Sequence, residues 1–220
     1  MGWASCSHSG TGHAALPDPR AVDKSVPEYK NPFHPSTYAH FVARKDYRKT
    51  YDVYKDDTLL NRQPKKSRKI FVCLDEQRGQ YLVDGLVAMD FPLSSGVKAY
   101  PTKTGDYAVI SKKEDHTSNL YGKMYDAEGK CINYNAESTD PIPEGGRFDG
   151  SPMPYWQRLT NAGLGLHVGK VRRHPVSHGC VRLPRNVAEI LYRQTSIGTP
   201  VTIRKTPLPV PEAQKVPAVQ

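Results

Sequence analysis

One short stretch of the sequence, from His167 to Pro184, contains the residue types that a thiol nucleophile requires. It holds a single cysteine, Cys180, together with three histidines and several arginines. Because a free cysteine thiol has a pKa of about 8.5, it needs a neighbouring imidazole to become reactive at neutral pH. Acyl transfer also requires hydrogen-bond donors for the oxyanion and a group that holds the substrate. The stretch therefore predicts a catalytic site in which Cys180 is the nucleophile.

Two alternating patterns predict the strands that position this site. Val181 and Leu183 alternate with Cys180 and Arg182, so a strand buries the first pair and presents the second pair on its open face. Upstream, residues 164–169 alternate in the same way. The sequence thus predicts that the thiol and a guanidinium share one accessible face.

Three further residues are candidates for the same face. His167 stands between two glycines on the upstream strand, where a substrate can reach its ring. His178 precedes Cys180 by two residues and therefore shares its face. Gly179 lets the backbone approach a ligand closely, so we expect its amide, with that of Cys180, to point at a developing oxyanion.

The complete motif resembles the signature of the L,D-transpeptidase catalytic domain, the YkuD-like family. Its elements are Gly165-Leu166-His167, Ser177-His178-Gly179-Cys180-Val181-Arg182-Leu183, a Pro101–Tyr107 segment similar to the family's P-T-P-T-G-x-aromatic turn, and a Met153–Trp156 segment similar to its M-P-Y/F segment. The resemblance covers about residues 68–204. Lys103 stands where a proline is usual, and only nine residues separate His167 from Ser177, so the loop over the site is shorter than in many members.

The resemblance implies a catalytic role for four residues. Cys180 is the nucleophile and His167 the general base, oriented through its other ring nitrogen by a backbone carbonyl rather than by a carboxylate. His178 shapes and polarises the site, and Gly179 contributes to the oxyanion site.

Four more residues are assigned to substrate binding. Arg182 is placed to pair with a carboxylate of a peptide stem, with a structural ion pair as the alternative. Tyr155 either donates to the oxyanion, lines the acyl pocket or simply packs. Ser177 ties the loop together by hydrogen bonds, and Thr104 completes the set.

The implied reaction is acyl transfer on the tetrapeptide stems of peptidoglycan, with no cofactor. Cys180 attacks the carbonyl of the third residue, typically a diaminopimelate, and expels the terminal D-alanine. An amine of a neighbouring stem then resolves the thioester and forms a 3→3 cross-link. Water as acceptor would make the protein a carboxypeptidase, and a lipoprotein lysine would make it an anchoring enzyme. Carbapenem-type inhibitors are expected to acylate the same thiol.

Two other classes of function compete with this interpretation. His167, His174, His178 and Cys180 are residue types that bind zinc, but their spacing lacks the paired turns that fix tetrahedral geometry, so we expect no metal. A wall-binding module without catalysis is the second alternative, although the intact Cys180, His167 and Arg182 speak against it.

Composition and charge are consistent with a wall-directed β protein. The 220 residues include 17 glycines, 19 prolines and 37% hydrophobic residues, which favours a turn-rich β fold over a helical bundle. A net charge of +9 favours polyanionic surroundings. We expect no nucleic-acid partner, because helix-turn-helix and aromatic-basic patterns are lacking. The expected location is the bacterial periplasm or cell envelope.

Changes in composition divide the chain into four parts. Residues 1–27 are predicted to form a flexible leader in which Cys6 resembles the lipidated cysteine of a bacterial lipoprotein; an unstructured leader with an incidental cysteine is the alternative. Residues 28–67 are predicted to be an N-terminal wrap or connector, residues 68–204 the catalytic domain, and residues 205–220 a disordered proline-rich tail. No apolar run is long enough to span a bilayer.

The predicted fold is mainly β, an antiparallel sandwich or barrel of short strands with one or two short helices. One helix is expected to start at Pro184 and bury Val187 and Leu191. The family resemblance implies that residues 112–150 contribute a substrate-covering insertion, and His116 is predicted to be a surface residue. Cys73 and Cys131 form either a disulfide or two separate buried thiols.

Overall fold

The computed structural model describes residues 16–62 and 67–218. The chain divides into two compact units, one drawn from residues 1–47 and 210–220 and the other from residues 48–209. The predicted lipid-anchor residue, Cys6, lies outside the described residues. No helix among the described residues has the length and apolar character needed to cross a membrane.

The larger unit holds all the strands found among the described residues. They are β1 (Tyr54–Lys55), β2 (Arg68–Cys73), β3 (Arg78–Val83), β4 (Leu86–Pro92), β5 (Gly105–Ala108), β6 (Ser111–Lys113), β7 (Thr117–Tyr125), β8 (Cys131–Glu137), β9 (Arg147–Pro152), β10 (Trp156–Arg158), β11 (Gly165–Val168), β12 (Val181–Leu183) and β13 (Pro200–Arg204). The helices are α1 (Tyr38–Ala43) in the smaller unit, and α2 (Asp57–Asn61) and α3 (Arg185–Gln194) in the larger one, with a 3₁₀ turn at Glu212–Gln214.

A six-stranded sheet forms one layer, in the order β1-β4-β3-β2-β13-β5. Strands β2, β3 and β4 are consecutive and antiparallel. The turn between β3 and β4 places Asp84 and Gly85 at φ values of 51° and 80°, as the Asp-Gly hairpin signal predicts. Strand β13 instead pairs in parallel with β2, with Val201 opposite Ile70.

A four-stranded sheet, in the order β12-β11-β10-β6, forms the second layer. Its β11 and β12 are parallel, whereas β10 pairs with both neighbours in antiparallel fashion. The chain passes from the first sheet to the second between β5 and β6, at Val109 and Ile110, so the single strand that alternation suggests there is split in two.

The two layers enclose the main hydrophobic core, which α3 completes. Side chains from the first sheet, the second sheet and α3 meet in it, among them Ile70, Val72, Phe91, Ile203, Leu166, Val181, Leu183, Val187 and Leu191. The mainly-β sandwich is therefore confirmed. A purely antiparallel arrangement is wrong, because β2–β13 and β11–β12 are parallel pairs whose connections run through other elements.

Residues 117–152 form a separate three-stranded antiparallel sheet, in the order β8-β7-β9, which we name the cover sheet. Its pairing is interrupted by register shifts at three places in β7. Most of β8 is exposed to solvent, with Ala136 its one buried residue. The stretch that was hardest to interpret from the sequence is thus a thin sheet with little core of its own.

The smaller unit corrects two predicted boundaries. Within it, residues 210–218 are ordered against the N-terminal segment: the His34 amide donates to the Val216 carbonyl at 2.8 Å, and the Ala218 amide donates to Pro32 at 2.8 Å. A disordered tail is therefore wrong for these residues, because the chain satisfies their backbone groups.

The predicted wrap over residues 28–67 is also divided. Its first part belongs to the smaller unit, but from Arg48 onward the chain belongs to the larger one. There β1 pairs with β4, and Leu59 and Leu60 of α2 enter the main core. This segment contributes to the stability of the larger unit instead of merely covering it.

The described cysteines are all free, which overturns a Cys73–Cys131 disulfide. Cys73 is buried in β2, and its thiol donates to the Lys205 carbonyl at 3.1 Å. Cys131 is half-buried at the start of β8 in the cover sheet. The two sulfurs therefore have separate environments.

Candidate active site

The register of the four-stranded sheet brings the predicted catalytic side chains to one face. His167 of β11 lies opposite Arg182 of β12, and Gly165 lies opposite Arg158 of β10. Continuing the β11–β12 register by one residue places Cys180 beside Gly165. Because alternate residues share a face, the thiol, the imidazole and both guanidiniums project away from the hydrophobic core.

His167 is almost fully buried, with 6% of its surface exposed. Its Nδ1 lies 2.7 Å from the Val168 carbonyl oxygen. Since a carbonyl can only accept, Nδ1 carries the proton and Nε2 keeps its lone pair. Burial lowers the pKa of His167 to about 4, and the positive charge of Arg182 acts in the same direction. The imidazole is therefore neutral at neutral pH and able to accept a proton.

The Cys180 thiol is half-buried and donates to the Gly163 carbonyl at 3.2 Å. Burial raises its pKa, while a hydrogen bond from Gly165 and the charge of Arg182 oppose that rise. The resting pair is accordingly a neutral thiol and a neutral imidazole. To react, the thiol must leave the Gly163 carbonyl and turn to Nε2 of the histidine.

The turn before the nucleophile is closed by Ser177. Its hydroxyl donates to the Cys180 carbonyl at 2.5 Å and accepts from the Gly179 amide at 3.2 Å. Gly179 has a φ of 110°, a conformation that favours glycine. Because its amide is already bonded, Gly179 does not offer the oxyanion donor that we predicted. Within residues 16–62 and 67–218, the Cys180 amide donates to no other group, so it remains the candidate donor.

Thr102 is the residue of this turn that sequence reasoning missed. It is buried, accepts from the Gly96 amide at 2.8 Å and donates to the Gly179 carbonyl at 2.6 Å. A methyl group on Gly96 would lie 2.0 Å from the Tyr100 carbonyl oxygen and 2.9 Å from the Gly179 nitrogen. Residues 96–102 therefore form a close-fitting support behind the nucleophile.

The segment that follows β4 also holds the signature strand. Ser94 and Arg182 exchange backbone hydrogen bonds of 3.1 and 2.9 Å, and the Ser95 carbonyl accepts from the Ser177 amide at 3.1 Å. In the short loop over the site, the Arg173 guanidinium donates to the carbonyls of Thr50 at 2.8 Å and Glu76 at 2.9 Å. Distant parts of the larger unit thus fix both ends of this loop.

His178 is exposed and lies between two tyrosines. Its ring centroid is 4.7 Å from that of Tyr100 and 4.4 Å from that of Tyr121 of β7, with the second pair nearly parallel. The ring therefore connects the segment that carries the nucleophile to the cover sheet. Stacking, rather than a hydrogen bond to the thiol, determines its position.

Two residues assigned to substrate binding lie elsewhere. Tyr155 has a φ of 56°, which turns its ring against Tyr192 of α3 at a centroid distance of 5.6 Å. Thr104 is exposed beside β5, where its carbonyl accepts from the Tyr107 hydroxyl at 3.4 Å. Among the described residues, neither belongs to the cavity around the thiol, so both assignments are corrected.

A cavity of about 780 Å³ opens above the thiol, between the four-stranded sheet and the cover sheet. Its walls include Cys180, His167, Arg182, Ser177 and His178, and the cover sheet contributes side chains such as Tyr121 and Tyr134. The cavity is large enough for several residues of an extended peptide. The insertion over residues 112–150 thus lies where it can cover a substrate.

His116, predicted to be a plain surface residue, also lines this cavity. Its ring stacks on Trp156 at a centroid distance of 5.0 Å, and Trp156 in turn lies 5.9 Å from the ring of His167. Burial lowers the pKa of His116. Its position in a polar stretch gave no periodic signal that it would face inward.

The zinc alternative gains no support from the geometry. Within the part of the chain that the structure describes, no group of three or more histidine, cysteine or acidic side chains comes together as metal ligands. Of the four proposed ligands, His174 is exposed on the loop, while His178 is held between tyrosine rings.

Comparison with known proteins follows the same lines. A family model for the L,D-transpeptidase catalytic domain (YkuD) matches residues 67–203. A protein of Mycobacterium tuberculosis described as probable L,D-transpeptidase 3 is 31% identical over 121 residues, which cover 52% of this chain and 38% of that protein. The match therefore spans well under two thirds of the relative's length.

Solved structures of L,D-transpeptidases are also similar. One from Mycobacterium smegmatis has a TM-score of 0.48 and 21% identity, covering 62% of this chain and 58% of its own. The catalytic domain of the E. faecium enzyme has a TM-score of 0.46 and 27% identity, covering 65% of this chain and all of its own. Because the family model matches more than half of its length, the chain belongs to the L,D-transpeptidase catalytic-domain family.

Proposed function

We propose that this protein is a cysteine-dependent L,D-transpeptidase that acts on peptidoglycan tetrapeptide stems and forms 3→3 cross-links through an acyl-enzyme on Cys180. The observation that carries the proposal is the common face of Cys180, His167 and Arg182 at the floor of one cavity. The Val168 carbonyl orients the imidazole so that Nε2 is the proton acceptor.

In the first half-reaction, the thiol proton passes to Nε2 of His167 as sulfur attacks the carbonyl of the third stem residue. The Cys180 amide is placed to donate to the developing oxyanion. When the tetrahedral intermediate collapses, the imidazolium returns the proton to the departing D-alanine amine. A low imidazole pKa makes this return favourable, because the protonated ring is a strong acid.

In the second half-reaction, an amine of a neighbouring stem attacks the thioester. His167 removes the proton of that amine, and the thiol leaves with a proton returned by the same ring. Water or a lipoprotein lysine in place of the amine would give hydrolysis or anchoring through the same acyl-enzyme. The acceptor is thus the point at which these three functions separate.

Mass spectrometry after incubation with disaccharide-tetrapeptide tests the proposal. The expected products are free D-alanine and a cross-linked dimer. A tripeptide without dimer would identify a carboxypeptidase, and the absence of any product would refute the enzymatic proposal.

Labelling by a carbapenem tests the nucleophile separately. We expect one adduct, on the peptide that contains Cys180. The variant Cys131→Ser is the matched control, because it removes a half-buried thiol in the cover sheet, and it should be labelled as fully as the unaltered protein. An adduct that survives in Cys180→Ala would contradict the assignment.

We also propose that the protein works in the periplasm or cell envelope, where such stems occur, and that Cys6 is its lipid anchor. Membrane fractionation of cells that express Cys6→Ser checks the anchor. Release of that variant into the soluble fraction would support lipidation, and unchanged partitioning would exclude it.

A further inference from the structure

The cavity over Cys180 is lined by cations and by no acidic side chain among the described residues. Lys103, Arg158, Lys170 and Arg182 all contribute to its wall, whereas none of the chain's aspartates or glutamates there does so. The bias is local, since the whole chain has 22 acidic residues beside 31 lysines and arginines. A wall of one charge sign concentrates ligands of the opposite sign.

These four cations also lack carboxylate partners within the described ranges. Arginines elsewhere in the larger unit do pair with acids: Arg204 with Asp106 at 2.6 Å, and Arg62 with Asp84 at 3.3 Å. No comparable ion pair involves a cationic side chain of the cavity wall. Arg182 is half-buried there, and a half-buried charge without a partner favours a ligand that supplies one.

Arg158 has a specific position relative to the thiol. It is the last residue of β10 and lies opposite Gly165, which separates it from Cys180 by one intervening strand. Two strand spacings correspond to roughly 10 Å between backbones. Gly165 adds no side chain in between, so the space from the sulfur to the guanidinium is open to a substrate.

The orientation of Arg158 is partly set by its neighbours. Its guanidinium carbon lies 5.9 Å from the centre of the Trp156 ring, and one terminal nitrogen is 3.5 Å from the Asn161 carbonyl. Most of its five N–H donors therefore stay available to a ligand. Arg182 lies on the other side of the thiol, two residues along the neighbouring strand.

We propose that Arg158 is a specificity-determining residue that binds the free side-chain carboxylate of the third stem residue, so that the enzyme prefers carboxylate-bearing donor stems over the same stems with a carboxamide there. The inference rests on the proposed function. A long diamino acid side chain, attached next to the carbonyl that Cys180 attacks, spans the open distance across Gly165.

The chemistry of the two side-chain ends supports this discrimination. A carboxylate accepts two parallel hydrogen bonds from a guanidinium and gains charge assistance. A carboxamide offers one acceptor oxygen and turns an NH₂ donor toward a group that has no acceptor. Amidation therefore removes the charge and leaves donors facing donors.

The test compares acylation of Cys180 by two tetrapeptide stems that differ only in a carboxylate or a carboxamide on the third residue. For the unaltered enzyme we expect kcat/KM to be about tenfold higher with the carboxylate, the size of one charge-assisted hydrogen bond. In Arg158→Gln this ratio should fall to near one, and in Arg158→Lys it should be partly restored.

Two controls separate the possible outcomes. Arg193→Gln removes a surface arginine on α3 that pairs with Glu189, and it should leave the ratio unchanged. A stem amidated at its second residue tests general charge attraction, and an equal loss from both amidations would overturn the assignment to Arg158. If both stems react at equal rates, the proposed function stands and this inference alone is wrong. If neither stem acylates Cys180, the proposed function fails first.

Discussion

The segment that carries the nucleophile and the cover sheet face each other across one cavity, but they are built differently. Residues 177–183 are held by hydrogen bonds to Ser94, Ser95 and Thr102, and their apolar side chains enter the main core. The cover sheet has register shifts in β7 and exposes large apolar side chains, including Tyr134 at 69%.

This difference separates two tasks of the site. Chemistry requires fixed distances, so the reacting groups lie on elements that packing and long-range hydrogen bonds hold in place. A cover must admit and release a bulky polymer, and a thin sheet with few buried contacts opens locally at low cost. We therefore expect substitutions on the two sides to have very different effects, and each prediction below sets one side against the other.

The largest effect is expected for His167→Gln. Glutamine keeps a polar side chain but has no nitrogen that can take up a proton, so carbapenem acylation should slow by about 10²–10⁴-fold. Ile132→Gln in the cover sheet is the matched change and should acylate at close to the normal rate. Intact-protein mass spectrometry over time measures both, and a normal rate in the histidine variant would refute its role as general base.

Adding one methyl group to a glycine on each side gives the next contrast. Gly96→Ala places a carbon 2.0 Å from a backbone oxygen, so we expect the free energy of unfolding to fall by about 3 kcal/mol or more, together with loss of acylation. Gly129→Ala, in the β7–β8 turn with no atom within 4 Å, should cost only about 1 kcal/mol, because its φ of 79° is strained for alanine. Urea unfolding distinguishes them, and equal losses would show that the support behind the thiol is not tightly packed.

The pH dependence of stability should also come from the catalytic side. His167 has a folded pKa of about 4, below its ordinary value of 6.5, so the unfolded chain binds the extra proton between these values. Stability contributed by this ring is present above pH 6.5 and lost as the pH falls toward 4, by about 3 kcal/mol at most. Unfolding at pH 7 and pH 4.5, compared with His167→Gln, isolates this term. An identical pH dependence in the variant would contradict it.

A smaller effect is expected from the threonine pair near the cavity. Thr102→Val leaves the Gly96 amide and the Gly179 carbonyl without a partner, which should cost about 1–3 kcal/mol and slow acylation. Thr102→Ser should restore most of both. Thr104→Val, at an exposed position outside the cavity, should change the free energy of unfolding by less than about 0.5 kcal/mol. Loss of activity in the Thr104 variant would return that residue to the site.

The smallest effect is expected on the outer face of the cover sheet. Ile132 is half exposed, and Ile132→Thr keeps a β-branched side chain in β8. Its melting temperature should change by no more than a few degrees, corresponding to about 0.5 kcal/mol. A large loss would mean that this face is packed in solution, which would weaken the contrast between the two sides.

Local patterns in the sequence predicted the part of the site that lies on regular strands. Alternation placed Val181 and Leu183 in the core, and the Pro184 signal marked the start of α3 at Arg185. These features depend on nearest neighbours along the chain, which is why they could be found without a structure.

The supporting residues could not be predicted in this way. Thr102 acts through contacts with residues distant in the sequence, and Arg158 faces the thiol only because β10 pairs with β11. Tyr155 was misassigned because its left-handed backbone conformation reverses the direction that a regular strand would give it. The order in residues 210–218 was missed because their partners lie near the other end of the chain.

The hydrogen bond from Cys180 to the Gly163 carbonyl has a consequence for the lifetime of the protein. Peroxides oxidise thiolates far faster than thiols, and oxidation beyond the sulfenic acid is not readily reversed. A sulfur that stays protonated until a stem peptide arrives is shielded from this damage between turnovers. The same bond that delays the nucleophile therefore preserves it.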